Sequence, residues 1–380
     1  MKSAIIALTC ATALTASTLA LTGAPANGAS TDLAALGDQG VRLTISPGIA
    51  QNGPRVADAA NAWVAGGVQV TPARKDRKIT IERRTSALAP WQRVTVGRTN
   101  GSGVFRFKAD GAAGATPYEF RALAAGTSTL PGVVGATETP ADWQLKFEDQ
   151  FRGSTLNTSK WGYRKLGVRE GGRSRSASST RTVHVRNGAL HLQVMRHPTN
   201  PRYFLNAHVG TQGHFTYTYG VSAARIKFER PRGMHGGFWL QPDSRTAPYG
   251  SPSRTGAEID VVEFFGKGYP KGGLAHFLYS YPRRNVVNKY GKVFPGAAAA
   301  LRGRTDSWWS RYHVFSVDWT SSGYVFRIDG QITWRSSKAV SRRPQFLILS
   351  LLSSDWELPQ LDRRSLPADM KVDWVRVWQR

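Results

Sequence analysis

The sequence predicts an all-β chain in two parts: a small β-sandwich module at residues 38–126 and a large jelly-roll β-sandwich at 142–380. Three observations predict this. Short β-rich runs recur along the chain, separated by turn signals. No amphipathic helical stretch longer than two turns interrupts them. The composition suits turns and strands, with 39 Gly, 12 Trp and 11% aromatic residues. At 41% hydrophobic over 380 residues, the chain can bury cores for two domains of ordinary size.

The N-terminal 29 residues stand apart. Lys2 precedes an uncharged apolar or small-residue run at 4–21, followed by small-residue cleavage candidates around Ala24–Ala29. This is the pattern of a secretory signal peptide. It predicts a secreted, extracellular protein with no membrane attachment after the signal is removed. A transmembrane anchor is the weaker reading, because the run is only marginally long enough to span a bilayer. Cys10 is the only cysteine and lies inside this run. A mature chain without cysteine has no disulfide, no thiol nucleophile and no Cys-ligated metal.

The net charge of +26 is unevenly spread. Residues 30–138 hold 13 Lys and Arg against 8 Asp and Glu, whereas residues 139–380 hold 37 against 17. Such an excess favours anionic partners such as cell-wall polymers or acidic polysaccharide, or simply keeps the protein soluble. No nucleic-acid-binding motif accompanies it, so no nucleic-acid partner is expected.

In the module, strand candidates fall at 41–47, 67–73, 78–84, 91–99, 103–111 and 118–125, with turn signals such as Asn100-Gly101-Ser102-Gly103 between them. The rhythm resembles immunoglobulin-like or fibronectin-type modules of exported bacterial enzymes. No residue cluster in it suggests chemistry, which leaves a spacer or a wall-binding role. Residues 127–141 are Gly-, Thr- and Pro-rich and nearly uncharged, the composition of a linker.

In the large part, candidates fall at 188–195, 219–229, 236–241, 257–265, 274–281, 312–320, 324–330, 345–352 and 370–379. So many strands in about 240 residues predict a jelly roll. In KVDWVRVWQ, Val372, Trp374, Arg376 and Trp378 alternate onto one face and are expected to pack inside the sandwich.

One strand is unusual. GAEIDVVEFFG (256–266) crowds Glu258, Asp260 and Glu263 into six residues. Like charges on one strand repel. Glu258 and Asp260 share a face while Ile259 and Val261 point to the core. Strict alternation would then bury Glu263 beside those apolar residues without a partner, which is costly. A β-bulge at Val261-Val262 returns Glu263 to the face of the other two acids, and bulges collect beside active sites for this reason.

Three acids on one face suit glycoside hydrolysis, where the retaining mechanism places two carboxyls about 5–5.5 Å apart. Four strand steps put the outer two roughly 13 Å apart at the backbone, and inward-leaning side chains close most of that gap. Asp260 between them would help to separate their pKa values, because the nucleophile must be ionised while the acid keeps its proton. A calcium site or a merely solvated strand face are the alternatives.

Glu258-Ile-Asp260-Val-Val-Glu263 resembles the catalytic signature of glycoside hydrolase family 16, in the bulged form of its laminarinase, agarase and carrageenase branches. Five other blocks resemble that family in the same order. They are WQLKFEDQFRGSTLNTSKW (143–161), TYTYGVSAARIKF (216–228), GGFWLQP (236–242), and the closing strands at 312–330 and 366–379. The resemblance implies a concanavalin-like jelly roll. It implies Glu258 as nucleophile, Glu263 as acid/base and Asp260 as the assisting carboxylate. His276 stands where the family often has a histidine near the cleft. Trp239 and Trp356 are candidate sugar platforms, because a flat aromatic ring stacks on a pyranose face.

Two departures touch the sugar-binding surface rather than the acids. Met234-His235-Gly236-Gly237-Phe238-Trp239 replaces the usual Trp-Pro-Ala-Phe-Trp stretch, and a basic segment at 169–181 replaces an Asn-rich one. The reading that results is a secreted, retaining, endo-acting hydrolase of a β-linked polysaccharide, with β-1,3-glucan first. An anionic polysaccharide, a transglycosylase, or a non-catalytic carbohydrate- or cell-wall-binding protein are the alternatives. A monomer is expected. No cofactor is required, and a structural calcium ion is allowed for, although no local ligand pattern demands one.

Overall fold

The computed structural model describes residues 39–167, 172–244, 246–301, 303 and 306–380. The expected export signal with Cys10, and residues 169–171 of the basic segment, fall outside them.

Residues from Gly40 onward form two small sheets. Gly40–Ala50, Trp63–Thr71 and Val104–Ala109 make one, and Gln92–Arg98, Lys78–Arg84, Glu119–Ala124 and Val133–Val134 the other. Alternation decides which side chains meet between them. Val41, Leu43 and Ile45 from the first strand join Val68, Ile79, Ile81, Phe107 and Phe120 in one apolar cluster. The segment expected to be a linker is partly built into this module. Val133–Val134 pairs with Leu123 and Ala124, and Glu138 exchanges backbone hydrogen bonds with Phe120.

The remainder is a jelly-roll sandwich of two antiparallel sheets. One runs Val286–Val293, Leu274–Arg283, Glu258–Phe264, His235–Pro242, Gln345–Leu352 and Phe204–Gly210. The other runs Ala189–Arg196, Ala368–Gln379, Gly220–Lys227, His313–Thr320, Gly323–Ile328 and Gln331–Ser336. Leu205 pairs with Met195 where the two sheets meet at an edge. Between the layers lies one large core that includes Phe238, Ile259, Leu349, Val317, Phe326 and Val375. Among the described residues the only α-helix is the single turn Pro252–Thr255. Of the strands just named, Phe204–Gly210, Val286–Val293 and Gln331–Ser336 lack a counterpart in the sequence reading, as do the short Gly162–Tyr163, Ser176–Ser178 and Val183–Arg186.

The C-terminal strand departs from simple alternation. Against Gly220–Lys227, Arg225 pairs with Trp374 but Ile226 pairs with Val372, so Asp373 is an extra residue. Val372, Val375 and Val377 consequently face the inter-sheet core, while Trp374 and Trp378 face the other way. The expectation that these Trp residues share a sandwich face with Val372 is therefore corrected by the bulge. They pack instead against Ile49, Ala59 and Ala62 of the N-terminal module.

Polar bonds secure that junction. Asp373 accepts the Ala57 amide at 3.0 Å and is ion-paired with the buried Arg225. Arg225 also donates to the carbonyls of Gln51 and Arg55, at 2.8 and 3.0 Å. Trp374 Nε1 donates to Gln51 Oε1 at 2.8 Å. The module thus seats on the sheet that does not carry the acids.

Candidate active site

The acid strand Glu258–Phe264 lies between His235–Pro242 and Leu274–Arg283. Asp260 pairs with Phe277 and Glu263 with Ala275, so Val261 and Val262 together oppose His276 alone. This is the bulge that the misplaced Glu263 demanded. Both valines are fully buried, and with Ile259 and Phe264 they belong to the inter-sheet core. The three carboxylates are left on the opposite face.

His276 lies elsewhere than expected. It is fully buried on the core side, between the rings of Phe294 and Phe326. Adjacent residues alternate faces, and its neighbours Ala275 and Phe277 take the acid side. Its Nδ1 donates to the Val261 carbonyl at 2.6 Å, and its Nε2 lies 2.8 Å from Thr333 Oγ1. Burial lowers its pKa to about 4, so the ring is neutral. His276 therefore anchors a bulge carbonyl from beneath and does not line the cleft.

The acids sit in unlike surroundings. Glu258 Oε2 accepts from Gln241 Nε2 at 2.8 Å, and Gln241 Oε1 in turn accepts from Arg164 Nη2 at 3.1 Å. Asp260 is only 3% exposed. Burial first, then the charges of Glu263 and Glu258, hold its carboxyl well above the usual range, which favours its protonated form. Burial also raises Glu263, with Glu357 adding to the rise. The cations His235, Lys289 and Arg173 oppose it.

Sequence reasoning missed that supporting shell. His235 Nε2 stands 3.9 Å from Glu263 Oε1, and its Nδ1 is 2.9 Å from both oxygens of Glu357. Glu357 is itself fixed by the Ser354 amide at 2.9 Å. Burial pulls the His235 pKa down, but the Glu357 charge and hydrogen bond, with Glu263 behind, carry it to about 9. A protonated imidazole therefore spans two carboxylates. Its signal was present in the sequence as the unusual Met234-His235-Gly236-Gly237, and Glu357 adjoins the chosen Trp356.

Trp239 and Trp356 both lie near the acids. Trp239 is half-buried, donates from Nε1 to Ser350 Oγ at 3.0 Å and stacks on His208 at 5.8 Å. Trp356 is 53% exposed and lies against Phe265, whose ring also meets His235 and stacks on Tyr269. The open ring of Trp356 and the braced ring of Trp239 can both offer a flat apolar surface to a sugar.

A bulged strand that sets three carboxylates on one face of a jelly roll, with burial raising the pKa of two of them, defines a carbohydrate-cleaving class of protein. Residues 172–376, more than half of the chain, match the family described as glycosyl hydrolases family 16. The chain belongs to that family. It is 27% identical over 290 residues to the glucan endo-1,3-beta-glucosidase A1 of Niallia circulans, a match covering 68% of this chain. The chain spans only 40% of the length of that relative. It is 25% identical over 257 residues to the beta-glucanase of Rhodothermus marinus, covering 62% of this chain and 85% of the relative. Among solved structures, the laminarinase catalytic domain of Thermotoga maritima matches with a TM-score of 0.51 at 20% identity, over 63% of this chain and 99% of the other. The Rhodothermus marinus laminarinase gives 0.50 at 23%, over 62% and 97%. These two likenesses establish the fold.

Proposed function

We propose that the protein is a secreted, retaining, endo-acting hydrolase of β-1,3-glucan. The carrying observation is the bulge that sets Glu258, Asp260 and Glu263 on one face, where burial raises the pKa of Asp260 and Glu263. Glu258, hydrogen-bonded by Gln241, attacks the anomeric carbon as the glycosidic C–O bond breaks. Glu263, whose proton affinity burial raises, passes its proton to the leaving oxygen. Glu263 then takes a proton from water, which attacks the anomeric carbon and frees Glu258. When protonated, the form that burial favours, Asp260 adds no second charge beside Glu258 and can donate a hydrogen bond to it.

The substrate reading is supported by family membership and by relatives named for 1,3-β-glucan cleavage. Export is read from the signal pattern of residues 1–29. The test is release of reducing ends from a panel of neutral and anionic polysaccharides, including laminarin, beside Glu258→Ala. Cleavage of laminarin, lost in the variant, is expected. Binding without cleavage of any polymer would overturn the hydrolase reading.

A further inference from the structure

Beside Trp239, on the Glu258 side of the site, lies a cavity of about 500 Å³ that none of the three acids lines. Its lining includes Tyr163, Arg164, Lys165, His208 and Gln212, and contains no carboxylate. Two of these side chains are polar groups in want of a partner. His208 is only 2% exposed, and neither ring nitrogen has a hydrogen-bond partner among the described residues. Arg164 Nε is buried and likewise unpaired. The rest of that guanidinium is aimed by its neighbours. Nη1 donates to Gln212 Oε1 at 3.3 Å and Nη2 to Gln241 Oε1 at 3.1 Å, and the group lies over the Phe346 ring at 4.9 Å.

Leaving buried donors and acceptors unsatisfied is costly, so each such group calls for an occupant. The occupant must satisfy a neutral imidazole, which donates and accepts like a sugar hydroxyl. Burial and the charges of Arg164 and Arg173 keep His208 in that neutral form, with a pKa of about 3. It must also face two cations, Arg164 and Lys165, at the lining. The exposed ring of Tyr163 offers a stacking surface at the mouth.

We propose that this cavity is a saccharide subsite for a sugar bearing an anionic substituent, either a carboxylate or a sulfate ester. Arg164 and Lys165 take the anionic group, and His208 takes a neighbouring hydroxyl. The subsite deepens the hydrolase reading and rests on it. A planar guanidinium suits both substituents, because each presents oxygens in a geometry that a fork of N–H donors can match.

The test uses the full chain carrying Glu258→Ala, titrated calorimetrically with neutral laminarin, laminarin oxidised to the carboxylate at C6, and sulfated laminarin. At low salt at least one anionic form is expected to bind about tenfold more tightly than the neutral one. That preference should shrink in 0.5 M salt, where the Debye length is about 4 Å against about 30 Å at 0.01 M. It should vanish with Arg164→Ala or with the exposed Lys165→Ala, which guards against a folding defect, and persist with the distant Lys338→Ala. Which anionic polymer wins identifies the substituent. Equal binding of all three polymers, no binding, or a preference that survives both cavity substitutions would overturn the subsite. Cleavage by the unsubstituted chain is scored separately: if no polymer is cut, the hydrolase reading fails whatever the titrations show.

Discussion

Two strands of the sandwich each carry one residue more than their neighbours, and the two bulges serve different ends. In Glu258–Phe264 the extra valine keeps three acids together on the open face. In Ala368–Gln379 the extra Asp373 turns Trp374 and Trp378 away from the core and onto the N-terminal module. The first bulge was legible because strict alternation would have buried a carboxylate among valines. The second was not, because a tryptophan is equally at home on either apolar face. A bulge can be read from sequence where one of its two outcomes is forbidden by charge, and stays hidden where both are merely hydrophobic.

The largest effect should come from Val262→Asp, which puts a carboxylate where the bulge now buries a valine between the sheets. The chain should lose both activity and several kcal/mol of stability, read by reducing-end assay and denaturant unfolding. Retained activity would show that the strand can re-form its bulge with that residue turned outward.

Glu263→Gln spares the fold but removes the proton donor. It should cost about 10²–10⁴-fold in kcat/KM toward unactivated polymer. Asp373→Ala breaks the other bulge's anchor, leaving Arg225 buried without its carboxylate. It should cost about 3–5 kcal/mol of stability while activity per folded molecule stays unchanged, so a loss of specific activity at low temperature would couple the two regions.

Subtler is His235→Gln. Activity requires a protonated Glu263 and falls as pH rises through that pKa. Removing the adjacent cation lifts the pKa, so the alkaline limb of the kcat/KM profile should move to higher pH. An unmoved limb would confine His235 to a structural role.

The smallest effect concerns Glu229, whose carboxyl accepts the Gly236 amide at 3.1 Å beneath His235. Burial raises its pKa from 4.5 to about 8. The folded state therefore holds a proton that the unfolded state has released, and stability is lost as pH rises from about 4.5 through 8. Glu229→Gln should flatten the decline of Tm over that window.

Much of the architecture was legible because its strands alternate or run apolar between turn residues. Lys78–Arg84 and Gln345–Leu352 fall where those signals place them. Phe204–Gly210 escaped notice because Asn206, His208 and Gly210 break its apolar run. Those polar residues face Ser353 and the cavity rather than solvent. The acids stood out by crowding. The shell that tunes them did not, because Arg164, Arg173, His235, Lys289 and Glu357 come from five separated segments. Only the fold shows that a lone histidine such as His235 has an acid on each side, and that His276 has a carbonyl above it.

The seating of the N-terminal module has a consequence for proteolysis. Residues 125–129 are exposed and form the covalent link from the module's last long strand toward the sandwich. A protease that nicked the chain there would sever the peptide bond and leave the Arg225–Asp373 clamp, the Trp374 bond to Gln51 and the apolar junction around Trp378 in place. The two fragments should co-elute as one particle, separable only by denaturant, so an intact elution volume would say little about an intact chain.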